Sequence, residues 1–220
     1  MSKKTNQSWR PLFQDFLANL KIDSKDFSEP ISLAESMFGS QKEFMNQVCD
    51  GLDQGVKHFV VLKARQQGIS TISLALDLFW LLVHPGLQGA LITDTDGNRD
   101  KFRIILERYI ESLPKSLRVG IKKHNRNNLV FDNGSVLDYI VAGVRKSGSL
   151  GRSRALNFAH CTECSSWGDP EGVASLMASL SEQHPDRLYI FEATDSRIIL
   201  GVYEEYFLRI SGMSCCCPAC

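Results

Sequence analysis

The stretch "LKARQQGIST", residues 62–71, follows the apolar residues Phe59, Val60 and Val61 and precedes the apolar helical pattern "ISLALDLFWLLV" (72–83). It therefore stands where a phosphate-binding loop stands, between a buried strand and a helix. Such a turn aims backbone N–H groups at one point, and the helix N-terminus adds partial positive charge. The usual motif places Lys and then Ser or Thr after its last glycine. Here Gly68 is followed by Ile69, Ser70 and Thr71, so the cation must come from elsewhere. Lys63 and Arg65, at the start of the turn, are within side-chain reach, and Ser70 would put its hydroxyl on Mg²⁺.

Around this stretch the chain alternates strands and helices. A helix following Ser70 stops at His84, Pro85 and Gly86. "GALIT" (89–93) is a short buried strand, and a helix is expected from about Asn98 to Ser112. "NLVFDNGSVLDYIVA" (128–142) holds two β-rich runs around Asp132, Asn133 and Gly134, a hairpin signal. "ALNFAHCTE" (155–163) and "RLYIFEAT" (187–194) are two further strands, with a helix of roughly twelve residues opened by Asp169, Pro170 and Glu171 between them. Upstream, helical periodicity is expected from about Pro30 to Leu52, preceded by a surface-packed amphipathic piece, "WRPLFQDFLANLKI". Strands without polar alternation, interleaved with helices, imply a mostly parallel α/β sheet covered on both faces.

Composition bounds the function. The chain has 220 residues, 43% hydrophobic and 23% charged, with 25 Lys+Arg against 25 Asp+Glu. Net charge is zero, so nucleic acid would be gripped through a local patch, not through bulk charge. No signal-peptide pattern is present, and the longest apolar run is interrupted by Asp77 and too short to span a bilayer. Of the seven cysteines, Cys49, Cys161 and Cys164 lie in core-like segments and four crowd the last six residues, which implies a reducing, intracellular setting.

A second chemical element is Thr162-Glu163 at the end of the 155–163 strand. An ATPase needs a carboxylate there to orient water toward the γ-phosphate and another group to hold a Mg²⁺-bound water. Glu163 fits the first role, and Thr162 occupies the position of the second. A third element, Glu192-Ala193-Thr194, ends the next strand, where a sensor of the γ-phosphate would sit.

With "KARQQGIST", "DNGSVLDYIVA", "GRSRALNFAHCTECSSW" and "LYIFEAT" in this order and spacing, the chain resembles the ATPase domain of the large terminase subunit, the motor that packages DNA into tailed-phage and herpesvirus-type capsids. The resemblance covers roughly residues 38–210. It implies a P-loop NTPase of the ASCE type: a mostly parallel sheet flanked by helices, with a β-hairpin insertion and an N-terminal helical arm over 1–37, leaving 211–220 as a Cys-rich tail. It implies ATP and Mg²⁺ as cofactors. Arg65, Gln66, Gln67, Gly68, Ile69, Ser70 and Thr71 match the variant Walker A segment, and Lys63 matches a lysine moved to the strand side. Gln41 matches a glutamine that reads adenine; otherwise it is a solvent-facing helix residue. Glu163 matches the catalytic glutamate, Thr162 replaces the usual Walker B aspartate as an outer-shell Mg²⁺ ligand, and Glu192, Ala193 and Thr194 match the coupling motif. Arg152 matches an arginine offered to the neighbouring subunit's ATP, with Arg154 as the alternative.

The implied partners are double-stranded DNA, a portal protein and a small terminase subunit, with the chain in a homo-oligomeric ring on the portal, away from membranes, in the cytoplasm of a host bacterial cell. The basic residues of "PKSLRVGIKKHNRNN" (114–128), with Arg145, Lys146, Arg152 and Arg154, offer either a grip on DNA phosphates or a solvated connector. Only twelve residues follow Leu208, too few for the nuclease domain that the family carries, so DNA cleavage is not expected of this chain. Cys217-Pro-Ala-Cys220 has the spacing of half a zinc knuckle, but a clipped or frame-shifted terminus is the better reading. Two alternatives stay open: a degenerate prophage remnant that binds nucleotide without turnover, and a helicase-like P-loop ATPase.

Overall fold

The computed structural model describes residues 8–24, 26–142, 155–168, 170–194 and 214–215. Its principal sheet contains β3 (His58–Leu62), β4 (Gln88–Thr93), β5 (Ile121–His124), β6 (Asn128–Phe131), β7 (Val136–Val141), β8 (Phe158–Cys161), β9 (Leu188–Ala193) and β10 (Ser214–Cys215). A separate two-stranded ribbon pairs β1 (Lys21–Ile22) with β2 (Ile31–Ser32). Across the principal sheet the order is β10-β3-β9-β8-β4-β7-β6-β5. Pairs from β10 through to β7 are parallel; β7–β6 and β6–β5 are antiparallel.

This order puts β9 between β3 and β8. The loop after β3 and the carboxylate after β8 thus flank the end of β9, and all three parallel strands finish at the same edge. Crevices beyond the carboxyl ends of parallel strands are where α/β sheets bind ligands.

Five helices cover the described sheet: α1 (Trp9–Leu17), α2 (Gly39–Asp53), α3 (Ile69–Val83), α4 (Asp96–Ser112) and α5 (Pro170–Ser179). Period-2 alternation sorts strand residues between two cores. Phe59, Val61, Leu91, Phe158, Leu188 and Ile190 face α1 to α4. Val60, Ala90, Ile92, Ala159, Cys161, Tyr189, Phe191 and Ala193 face α5, where Val173 and Leu176 meet them. Helix α3 is apolar almost all round, as a buried helix should be, with Ile72, Leu74, Ala75, Leu76, Leu78, Trp80 and Leu81 inaccessible.

Three expectations need correction. The piece "WRPLFQDFLANLKI" does more than rest on the surface: it leaves Pro11, Gln14 and Asp15 exposed but buries Phe13, Phe16 and Leu17. Ser8 caps α1, Trp9 packs on Trp80 at 4.8 Å, and Phe13 and Phe16 each lie 5.3 Å from Phe79. Burial of each such aromatic stabilises by about 1.5–3 kcal/mol, which makes α1 part of the core. Residues 30–38 are not helical either; they hold β2 and a turn, so α2 starts at Gly39. The apolar residues Leu33 and Met37 simulated helical spacing but are buried from a non-helical segment. Finally, the basic connector contains a strand. β5 pairs with β6 across a register shift at the sheet's edge, with Lys122 and Lys123 exposed, a charge placement that discourages further strands from adding. The hairpin around Asn133-Gly134 is as expected, and its second strand, β7, extends the main sheet alongside β4.

Candidate nucleotide site

The turn between β3 and α3 is held in a shape that its sequence explains. Gln66 and Gly68 both have left-handed backbones, at φ 65° and 67°. A side chain at Gly68 would be strained on that ground alone, and its Cβ would meet Gln41 Nε2 at 2.5 Å. No side chain caps α3, whose first residues Ile69 and Ser70 line a cleft of about 720 Å³. Lys63, Ala64, Arg65, Gln66, Gln67, Gly68 and Thr71 also line it. From across the cleft come Glu163, Ser165, Ser166 and Thr194, and from α4 and the turn before it Asp94, Asn98, Lys101, Phe102 and Ile105.

Helix α2 braces the turn. Gln41 Nε2 donates to the Gly68 carbonyl at 2.8 Å while its Oε1 accepts from Phe38 N–H at 2.8 Å. Ser40 Oγ reaches the Gln67 carbonyl at 3.5 Å. Gln41 is buried and outside the lining of the cleft, so it is neither the solvent-facing residue nor, in this arrangement, one presented to a base.

At the floor of the cleft the charged groups converge. Lys63 Nζ lies 2.5 Å from Ser70 Oγ, 2.8 Å from Glu192 Oε2 and 3.3 Å from Glu163 Oε1. Ser70 Oγ donates to Glu192 Oε2 at 2.6 Å. Thr194 Oγ1 donates to Glu163 Oε2 at 3.3 Å, and the Ala193 carbonyl accepts from Lys63 N–H at 3.0 Å. All three residues of the expected coupling triplet thus touch Lys63 or Glu163. Glu163 itself has φ 50°, ψ 40°, a conformation uncommon for a residue with a side chain and concentrated at functional sites.

Thr162 does not face the cleft. It is fully buried, its hydroxyl donates to the Ile92 carbonyl at 3.4 Å, and its own carbonyl accepts from Trp167 Nε1 at 3.1 Å. The expectation of a Mg²⁺-directed hydroxyl at this position is therefore corrected: β8 places the residue beside β4 instead.

Two residues that sequence reasoning does not single out extend the polar cluster inward. His160 Nδ1 lies 2.5 Å from Asp77 Oδ2, and His160 Nε2 lies 3.3 Å from Glu192 Oε1, all three being inaccessible to solvent. A buried helical Asp facing a strand His is a signal open to notice, but only the fold shows that they meet. Burial would lower the His160 pKa, but Asp77 and Glu192 outweigh it and hold it up at about 10. Burial would raise that of Glu192, yet Lys63 and His160 keep it well below the ordinary carboxylate range. Burial raises Asp77, against the pull of His160. For Lys63, burial lowers and the two glutamates raise, with a net rise. The chain Asp77–His160–Glu192–Lys63 alternates acid and base along its length and ends at Glu163, partly in solvent.

Among the described residues no group of three or more His, Cys, Asp or Glu side chains could hold a metal ion by itself. Mg²⁺ at phosphate sites is bound chiefly through phosphates and water, with few protein ligands. Ser70 Oγ fits such a role: it already accepts from one cation, the Lys63 ammonium, and its second lone pair is free for another. Arg152, Arg154, Arg145 and Lys146 lie outside the described residues, as do the turn at 195–197 and the cysteines at 217–220. Of the basic run, Arg118 is used on the Leu113 and Glu111 carbonyls, and Arg126 pairs with Asp96 and Asp100 at 3.3 and 3.6 Å. Among the described residues no helix is long and apolar enough to cross a membrane.

No family model and no curated protein matches the sequence. Solved structures do match. The large terminase of bacteriophage HK97 superposes with a TM-score of 0.69 at 14% identity, covering 95% of this chain and 43% of that one. The large terminase of a thermophilic bacteriophage, solved in complex with ADP, gives 0.52 at 13% identity, covering 70% of this chain and 38% of that one. The chain spans less than half the length of either protein. At such identities the likeness shows the fold, a mostly parallel sheet flanked by helices like that of these large terminases.

Proposed function

We propose that this chain supplies the ATPase motor of a terminase large subunit, hydrolysing ATP to drive double-stranded viral DNA into a procapsid. One observation carries the reading: Lys63 and Ser70, from the two ends of the 63–71 turn, meet Glu163 at the floor of the cleft that this turn walls. Backbone N–H groups of the turn and the uncapped N-terminus of α3 would receive the phosphates. Lys63, donated from the strand, and Arg65, exposed at the rim, would neutralise them. When bound, Mg²⁺ would supply charge neutralisation on the β- and γ-phosphates, with Ser70 as its protein ligand.

Glu163 would polarise the attacking water. Its left-handed backbone turns the carboxylate toward Lys63, while Thr194, just after β9, donates to the other oxygen and so ties the end of that strand to the acid. That contact is a physical basis for Glu192, Ala193 and Thr194 as the coupling element. Arg152, with Arg154 as the alternative, would act on the nucleotide of a neighbouring subunit, so a ring is required for full activity. Gln41 would act on the nucleotide indirectly, by fixing the turn. Portal protein, small terminase subunit and DNA are the partners this role requires.

The test is steady-state ATP hydrolysis with binding measured in parallel. The wild-type chain should bind ATP, and its specific activity should climb as protein concentration is raised. Glu163→Gln should keep binding and lose turnover by about 10²–10⁴-fold, the range for a general base. Binding without turnover at any concentration, even with portal and DNA present, would favour the remnant that holds nucleotide idly. Strand separation by the isolated chain would favour the helicase-like motor.

A further inference from the structure

A hydroxyl that binds Mg²⁺ in a phosphate loop needs an acceptor for its proton, so that a lone pair and not the O–H faces the metal. The strand-end residue that would provide one, Thr162, is turned away to the Ile92 carbonyl. The acceptor that Ser70 has is Glu192, one strand over: Glu192 Oε2 takes the Ser70 hydroxyl proton at 2.6 Å.

We propose that Glu192, on β9, has taken over the work of the missing strand-end aspartate: it orients the Ser70 hydroxyl toward a nucleotide-bound divalent cation, and the Asp77–His160 pair behind it holds its carboxylate in place. Glu192 is inaccessible to solvent, so it acts through Ser70 and Lys63 and is a positioning residue. Its two oxygens have different duties. Oε2 faces the cleft and bonds both Ser70 and Lys63; Oε1 faces the core, 3.3 Å from His160 Nε2. An isolated buried carboxylate would be expelled or protonated. Here each oxygen has a basic neighbour, Lys63 Nζ at 2.8 Å from Oε2 and His160 Nε2 at 3.3 Å from Oε1, which holds the carboxylate between cleft and core. His160 is held in turn by Asp77 at 2.5 Å from the middle of α3, the helix whose first turn carries Ser70. Both ends of the helix-to-strand connection are thereby fixed relative to Glu192.

The inference rests on the nucleotide reading above, and the experiment separates the two. Equilibrium binding of ADP to the full chain is measured with excess Mg²⁺ and with chelator, and Mn²⁺ bound alongside ADP is followed by its paramagnetic resonance signal. Wild type should bind ADP more tightly with the metal. In Glu192→Gln, chelator-side affinity should stay within about threefold, while metal affinity in the ADP complex falls by about 10–100-fold, the usual cost of losing an outer-shell partner. Ser70→Ala, a small change that leaves the core untouched, should show the same selective loss. The double variant should lose no more than the larger single one, because the two act as one unit.

Several results would overturn the proposal: a Ser70→Ala protein with wild-type metal dependence, equal losses with and without metal in Glu192→Gln, additive losses in the double variant, or Thr162→Val showing the selective loss in place of Glu192→Gln. If Glu192→Gln does not fold, the Ser70→Ala and Thr162→Val measurements still decide. A wild-type chain that binds no ADP in either condition overturns the nucleotide reading, and this one with it.

Discussion

Toward α1 to α4, strands β3, β8 and β9 present Phe59, Val61, Phe158, Leu188 and Ile190, and then, nearest the cleft, His160 and Glu192. Toward α5 the same strands present Val60, Ala159, Cys161, Tyr189, Phe191 and Ala193, without a buried charge among them. The thicker, aromatic-rich core is thus the one that holds ions. A low-dielectric surround strengthens each attraction in the Asp77–His160–Glu192–Lys63 chain, but it equally penalises any member left alone. The α5 face carries no such liability. One face positions charge; the other closes the sheet.

The largest expected break in this comparison is Asp77→Leu. It strands His160 beside a single carboxylate and should cost about 3–5 kcal/mol in chemical unfolding, because one partner of a buried ion pair has gone. Leu176→Ala, on the α5 face, should cost about 2–5 kcal/mol by cavity formation alone. Stability that is lost with Asp77→Leu should be partly restored by adding His160→Leu. No second-site change should restore Leu176→Ala without refilling its volume.

A pH series sharpens the contrast. The folded pKa of His160 is about 10, above its ordinary 6.5. A raised base contributes stability that is fully present below the lower value and lost as pH rises through the upper one. Glu192, held low, contributes above the ordinary carboxylate range and loses that contribution as pH falls. Thermal unfolding of the nucleotide-free chain should therefore fall off between about pH 6.5 and 10 and again in acid. Asp77→Asn, by removing one carboxylate from His160, should move the alkaline loss to lower pH, whereas Leu176→Ala should lower the curve without moving either limb.

Gly68→Ala, at the rim of the charged face, should cost about 1–2 kcal/mol for the left-handed backbone. It should also weaken ADP binding, since the added methyl pushes on Gln41. The smallest effect belongs to Arg126→Ala. Its side chain is 64% exposed and its ion pairs are at the surface, so a loss within about 1 kcal/mol is expected.

What the sequence disclosed follows from where information is local. The loop at 62–71, the hairpin at Asn133-Gly134 and a strand just before Glu163 are written in contiguous residues; the first two lie where expected, and the strand is shorter, ending at Cys161. Gln41, Thr162 and Glu192 are also identifiable, but their orientations are not. Those depend on which strand neighbours which: with β9 between β3 and β8, Glu192 meets Ser70 and Thr162 is left beside β4. His160 and Asp77 are 83 residues apart and carry no motif, so only the packing of α3 on the sheet reveals them. The α1 segment misleads because an amphipathic stripe looks the same whether it covers a core or completes one. The 30–38 segment misleads because Leu33 and Met37 fit a helical period by coincidence.

Lys63 is rooted in the sheet. Its main-chain N–H is tied to Ala193, and its ammonium sits with Glu163 and Glu192. In a loop whose lysine follows the glycine, the ammonium travels with the helix, and every remodelling of the turn displaces it. Here residues 64–68 could be exchanged for another turn of equal length while the electrostatic frame stayed put. The division makes the segment a natural cassette for grafting, separable from the charged cluster behind it.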